Sequence, residues 1–181
     1  EIKDLDVKIK VLLTKDDFST IDSIKNSNCE IVFQENRGYG DALIQGINLT
    51  TTKYFCIFNA DGSFDPVELK DMLNKINELN SDFIFGSRYQ KNSGSDDDTI
   101  VTFIGNFIFT KIGNYFFELP ITDILYTFVL GKTDSVKKLN LDRKDFSFCV
   151  ELPIKAIRNS MKMCSISSYE RKRIAGEKKV N

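Results

Sequence analysis

Tyr54-Phe55-Cys56-Ile57-Phe58-Asn59-Ala60-Asp61-Gly62-Ser63-Phe64-Asp65-Pro66 begins with five consecutive apolar residues and ends in a polar turn. The apolar run has the length of a strand buried on both faces. It stops at Asn59-Ala60-Asp61-Gly62, residue types that favour turns. Asp65-Pro66 with Glu68 then signals a helix start, with Asp65 as N-cap and Val67 to Leu79 as the body. Strand, polar turn and helix in that order are the leading half of a βαβ unit, and in an open α/β sheet ligands bind at such strand ends.

Working outward, the same alternation recurs. Val7 to Leu13 reads as a strand ending at Thr14-Lys15-Asp16-Asp17, followed by a short helix from Thr20 to Asn26. Glu30 to Gln34 reads as a second strand. Gly38-Tyr39-Gly40 opens a helix whose Ala42, Leu43, Ile44 and Ile47 share one apolar face. Downstream, Asp82 to Phe85 is a strand ending at Gly86-Ser87-Arg88, and the polar stretch Lys91 to Asp98 reads as a mobile loop. Thr99 to Leu119 is the most apolar segment. Asn106, Lys111, Asn114 and Glu118 interrupt it, which favours a packed helix over a spanning one and leaves a helix at a membrane surface or subunit interface as the functional alternative. A strand over Ile124 to Leu130, helices from Thr133 and over Val150 to Asn159, a strand near Met161 to Ser167 and a basic tail complete the chain. The expectation is one α/β domain over residues 1–181, a mainly parallel sheet with helices on both faces.

Composition narrows the function. With 25 basic and 26 acidic side chains, no general field draws the chain to nucleic acid, so any anion site is local. There is no histidine, so carboxylates must do acid, base or metal work. The four cysteines lack the close spacing of zinc or redox motifs and read as reduced, buried thiols in a cytoplasmic setting.

Acidic or amide clusters stand at several strand ends: Asp16-Asp17, Asn59-Ala60-Asp61, and Asp123, with Ser87-Arg88 beside them. Asp16-Asp17-Phe18-Ser19-Thr20-Ile21-Asp22 resembles the nucleoside-holding segment of family 2 glycosyltransferases of the GT-A fold. Asn36-Arg37-Gly38-Tyr39-Gly40-Asp41-Ala42 is similar to their Asn-x-Gly segment, and Asn59 to Pro66 to their metal signature. Gly86-Ser87-Arg88-Tyr89, Ile121-Thr122-Asp123 and Arg173 to Lys179 resemble segments of the dolichol-phosphate mannose synthase branch, which uses polyprenyl-phosphate acceptors.

The resemblance implies an inverting transferase acting on a UDP- or GDP-sugar. It implies Asp16, Asp17, Ser19, Asn36 and Gly38 at the nucleoside, Asp61 with Asn59 at Mg²⁺ or Mn²⁺, and Arg88, Arg173 and Lys179 at the diphosphate or an acceptor phosphate. Asp123 with Asp61 would serve the catalytic centre, Asp123 as a positioning group, a metal neighbour or a base. A divalent ion on hard oxygen ligands suits the charge that grows on a diphosphate leaving group. A peripheral position at the cytoplasmic membrane face and a homo-oligomer are further expectations. Three departures stand out: Asn59 replaces the first aspartate of the metal signature, Tyr126-Thr127-Phe128-Val129 replaces Gly-Phe-Arg, and the family's first strand would precede Glu1. They keep open a non-catalytic nucleotide-sugar-binding domain; a sugar nucleotidyltransferase lacks its glycine-rich loop here, and a structural module would bind no nucleotide.

Overall fold

A computed structural model describes residues 6–174. In chain order the elements are β1 (Lys10–Leu13), α1 (Phe18–Ile24), β2 (Glu30–Phe33), α2 (Tyr39–Asn48), β3 (Tyr54–Ile57), α3 (Glu68–Glu78), β4 (Phe83–Ser87), β5 (Gly94–Ser95), α4 (Ile100–Phe117), β6 (Val129–Lys132), α5 (Thr133–Lys138), α6 (Phe148–Arg158), β7 (Met163–Ser167) and β8 (Tyr169–Glu170). β1 and β2 pair in parallel, while β3-β6-β4-β7 forms a four-stranded sheet. β6 runs antiparallel to both β3 and β4, and β7 runs parallel to β4. The sheet is therefore mixed, because the chain reaches β6 from the far end of α4 by an irregular segment instead of a crossover helix.

Strand alternation sends side chains to two cores. Phe55, Ile57, Phe83, Phe85 and Val129 face one cluster, closed by Ile47 of α2, Val136 of α5 and Phe148, Leu152 and Ala156 of α6. Ile84, Phe128 and Leu130 face the other, closed by Leu69, Met72 and Ile76 of α3. Helices thus cover both faces. At Gly131 of β6 a Cβ would stand 2.6 Å from the rings of both Phe55 and Phe83, so the central strand admits only glycine between those flanking phenylalanines.

Three expectations need correction. The strand expected over Ile124 to Leu130 begins only at Val129; Ile124 and Tyr126 are buried because an irregular segment tucks them under α4 and Arg88. The stretch Lys91 to Asp98 is pinned, not loose. β5 pairs with β8, and the three consecutive aspartates have three separate anchors: Asp96 accepts from Tyr169 Oη at 2.7 Å, Asp97 from Arg173 Nη2 at 2.9 Å, and Asp98 pairs with Arg88 at 3.4 Å. Finally α4 is not packed as a core helix. Thr102, Asn106, Thr110 and Asn114 face the body and most of its apolar residues face outward, joined there by exposed Lys111, the reverse of the usual surface-helix pattern.

Candidate functional site

The chain turns that follow β1 and β2 bound an open cleft of about 510 Å³, lined by residues 14–16 and 33–37. Asp16 and Asn36 both line it. Asp16 is exposed and pairs with Arg37 Nη2 at 2.6 Å; a hydrogen bond from the Thr14 hydroxyl, aided by Arg37, holds its carboxyl below the usual value. Asp17 does different work. Its carboxylate accepts from Thr20 N at 3.3 Å and Ser19 Oγ at 3.4 Å, capping α1, so Asp17 and Ser19 fix the turn and leave the cleft wall to Asp16.

Gly38 precedes α2 at φ 149°, and a Cβ there would lie 2.3 Å from the Lys144 carbonyl oxygen. At Gly40 the Arg143 carbonyl would lie 2.1 Å away. Both glycines are thus explained by the close approach of residues 143–145. That loop is anchored in turn by buried Glu151, which accepts from the amides of Asp142 and Arg143. Next to the helix start, the Tyr39 hydroxyl hydrogen-bonds Thr127 Oγ1 at 2.7 Å, and burial pushes its phenol up to about 12.

After β3 the chain makes the turn that presents Asp61. Its Oδ1 accepts from Ser63 N at 3.0 Å and Ser63 Oγ at 2.6 Å, while Gly62 takes φ 85°. Its Oδ2 lies 3.9 Å from Arg173 Nη1. Residues 171–174 lie directly along this turn: Arg171 N donates to Ser63 O and Ile174 N to Asp61 O, both at 2.8 Å, and Arg171 Nη2 donates to Phe64 O at 2.8 Å. Ile174 fills the space over Gly62, where a Cβ would meet its Cδ1 at 2.7 Å. Glu68 secures the strap from the other side, accepting from Ser168 Oγ at 2.5 Å and Tyr169 N at 2.9 Å, and burial raises its pKa.

Beside this turn lies a buried ionic network. Asp123 is wholly buried and takes Arg88 in a fork, Nε to Oδ2 at 2.8 Å and Nη2 to Oδ1 at 3.2 Å. Arg88 also reaches Glu170 at 3.1 Å and lies 4.8 Å from the Tyr126 ring centroid. Burial alone would lower the Arg88 pKa, but the Asp123 carboxylate more than reverses this and holds it above the ordinary arginine value. Arg88 is therefore engaged by three carboxylates rather than presented to a phosphate.

The site residues thus fall into groups: Asp16 with Asn36 at the cleft, Asp17 with Ser19 at the α1 cap, Asp61 with Arg173 at the β3 turn, and Arg88 with Asp123 in the buried network. Asn59 is half-buried beside that turn. Lys179 lies outside the described residues. Sequence reasoning gave no role to Arg37 and Lys15 on the cleft wall, although Arg37 lies inside the Asn36 to Ala42 segment and Lys15 immediately precedes Asp16, and it missed Asp97, whose partner Arg173 lies 76 residues away.

A sequence model of the family "Glycosyl transferase family 2" matches residues 14–139, well over half of the chain. Among solved structures the fold is similar to glucosyl-3-phosphoglycerate synthase from Mycobacterium tuberculosis in complex with Mn²⁺ and uridine-diphosphate-glucose (TM-score 0.69, 10% identity, covering 92% of this chain and 60% of that one). The same enzyme in complex with phosphoglyceric acid gives a TM-score of 0.68 at 10% identity, covering 94% and 62%. A further mycobacterial protein gives 0.72 at 9% identity, covering 94% and 58%. The chain spans about three fifths of the length of these proteins.

Proposed function

This chain belongs to glycosyl transferase family 2, and from that premise we propose that it transfers a sugar from a nucleotide-sugar to a polyprenyl-phosphate acceptor at a membrane surface, with inversion. The observation that supports the donor half is the pair of strand-end features in one fold, the cleft bearing Asp16 and Asn36 and the turn bearing Asp61. Asp16 and Asn36 offer hydrogen-bonding groups suited to a base and ribose, and Lys15 and Arg37, the latter paired with Asp16, add positive charge along the cleft wall.

Asp61 fits a hard divalent cation in part. Among the described residues no three acidic, cysteine or histidine side chains are grouped so as to hold a metal ion, so one carboxylate, with the Asn59 amide as a neutral neighbour, would share Mg²⁺ or Mn²⁺ with the donor diphosphate and water. Such an ion, when bound, would neutralise charge developing on the diphosphate. One of the similar solved structures, glucosyl-3-phosphoglycerate synthase, holds Mn²⁺ with uridine-diphosphate-glucose, which favours that ion class and a UDP-sugar. In the transfer, an acceptor phosphate oxygen forms a bond to the anomeric carbon as the bond from that carbon to the diphosphate oxygen breaks, the electron pair leaving on the diphosphate. A phosphate acceptor is already ionised near neutral pH and needs orienting more than deprotonating. Asp123 accordingly acts as a positioning residue that fixes Arg88 and the Asp98 end of the acceptor side.

α4 supports a lipid-linked acceptor. Thr102, Thr110 and Asn114 bond inward to Asp98, the Ile124 amide and the Ile121 carbonyl. Ile100, Val101, Phe103, Ile104, Phe107, Ile108, Phe109, Ile112, Tyr115 and Phe116 are all exposed. At 3.6 residues per turn these side chains sweep about 240° of the circumference along about 27 Å of helix. One partner helix covers a far narrower stripe, whereas the apolar boundary of a bilayer covers such an arc continuously.

Calorimetric titration of UDP and GDP, with and without Mn²⁺, into this chain and Asp61→Ala tests the donor reading: metal-dependent binding lost in the variant is expected, and no binding to the parent chain would overturn it. Transfer assays then offer polyprenyl phosphate in vesicles and 3-phosphoglycerate in solution. Vesicle-dependent transfer abolished by Ile104→Asp/Ile108→Asp is expected; transfer only to the soluble acceptor would refute the membrane half.

A further inference from the structure

We propose that residues 171–174 form a latch in which the Arg173 guanidinium stands in for the donor-site cation, so that a divalent ion must displace it from Asp61 before it can bind there. The inference rests on Asp61 being the donor-site carboxylate, as argued above, and adds a control on when that carboxylate is available.

Both oxygens of Asp61 are spoken for. Oδ1 is held by the amide and hydroxyl of Ser63, and Oδ2 faces Arg173 Nη1 at 3.9 Å. The guanidinium is placed there by its neighbours rather than by chance: Asp97 takes Nη2 at 2.9 Å, and the flanking backbone is tied to the turn itself through Arg171 N to Ser63 O and Ile174 N to Asp61 O. The positive φ of Gly62 and its missing Cβ make room for Ile174, so the turn and the strap are shaped to each other. The latch is nevertheless weak at its key point. The Arg173–Asp61 pair is long and the two side chains are about a quarter exposed, while Arg173 Nε is buried without a hydrogen-bond partner among the described residues. A guanidinium with an unused donor, next to a carboxylate it only partly neutralises, is set to exchange that carboxylate for a better anion. A diphosphate offers one: it accepts from a planar guanidinium by two parallel bonds. Cation alone and cation with diphosphate therefore meet opposite responses from Arg173. The bare ion is repelled by it, and the ion that arrives with diphosphate gains a second binding group.

The test measures free Mn²⁺ by electron paramagnetic resonance, with and without UDP, for the parent chain, Arg173→Gln and Arg173→Lys. Without UDP, Arg173→Gln should bind Mn²⁺ at least about tenfold more tightly than the parent, and Arg173→Lys, which keeps the charge, should stay near the parent. With UDP the order should reverse, Arg173→Gln binding the Mn²⁺–UDP pair more weakly. Equal Mn²⁺ affinity of parent and Arg173→Gln without UDP would overturn the latch while leaving the donor site standing. No Mn²⁺ or UDP binding by any of the three would overturn the donor-site reading and the latch together. Melting curves of the three proteins, expected to coincide, separate a latch from a strap needed only for folding; a large loss of stability in Arg173→Gln with unchanged Mn²⁺ affinity would assign Arg173 to folding.

Discussion

Replacing Asp123 by asparagine keeps its shape and removes one charge from the interior. Asp123 is fully buried and its two oxygens receive Arg88 Nε at 2.8 Å and Nη2 at 3.2 Å, with the Arg88 amide also directed at Oδ2. Breaking a buried ion pair typically costs about 3–5 kcal/mol, because the remaining charge is left uncompensated. Here Glu170 at 3.1 Å and Asp98 at 3.4 Å still flank Arg88, so Asp123→Asn should fall at the lower end, about 3 kcal/mol. For a chain of this size that lowers the melting temperature by roughly 6–12 °C. Arg88→Met should cost more, since it strands three carboxylates around one apolar side chain. Urea unfolding followed by circular dichroism measures both, and Mn²⁺–UDP titration of the same samples shows whether the donor site is touched. A cost below about 1 kcal/mol for Asp123→Asn, combined with loss of transfer, would refute the positioning role and return Asp123 to direct contact with the reacting groups.

Gly131→Ala should destabilise by about 1–3 kcal/mol through overpacking, because its Cβ would stand 2.6 Å from both Phe55 and Phe83; chemical denaturation reads this, and Phe83→Leu in the same chain should recover part of it. Glu151→Gln should cost about 1–3 kcal/mol at pH 7. Burial opposes ionisation of Glu151, but Lys155 and the amides of Arg143 and Asp142 outweigh it and hold the carboxyl below its ordinary 4.5. A lowered folded-state pKa gives stability that is complete above the unfolded value and is lost as pH falls through the folded one, so the gap between parent and variant should close below about pH 4.5 in pH-jump unfolding. A gap that stays constant down to pH 3 would show that the carboxylate charge is not what anchors residues 142–143.

The strand, turn and helix alternation was legible because buried strands are apolar runs and their ends are punctuated by Gly, Pro, Asp and Asn. That is why β3, the Asp61 turn and α3 were placed within a residue or two. The same signal misled at Ile124 to Tyr126. These residues are apolar because α4 and Arg88 cover them, and burial by an irregular segment leaves the same composition as burial in a strand. Polarity misled in the other direction at Asp96 to Asp98. Their partners Tyr169, Arg173 and Arg88 are set by tertiary pairing of β5 with β8 and by the turn at Arg88, none of which local composition announces. In α4 the information was present but unread: Thr102, Asn106, Thr110 and Asn114 recur every fourth residue, one helix face, and a polar stripe in an otherwise apolar helix turns inward when the outside is apolar.

The aspartate run joins what would otherwise be separate halves. Asp97 shares Arg173 with Asp61 at the turn after β3, Asp98 shares Arg88 with Asp123 in the buried network, and Thr99 immediately caps α4 through the Thr102 amide. Asp97 and Asp98 are adjacent, so the two arginines they hold are linked through one planar peptide unit. Thr99, the cap of α4, therefore adjoins Asp98 and lies two residues from Asp97, which holds the guanidinium that faces Asp61. The start of α4 and the Asp61 carboxylate are thus connected through Arg173 and the adjacent Asp97 and Asp98, and Asp98 ties the same stretch to the buried Arg88–Asp123 pair, a short path made of ion pairs between side chains.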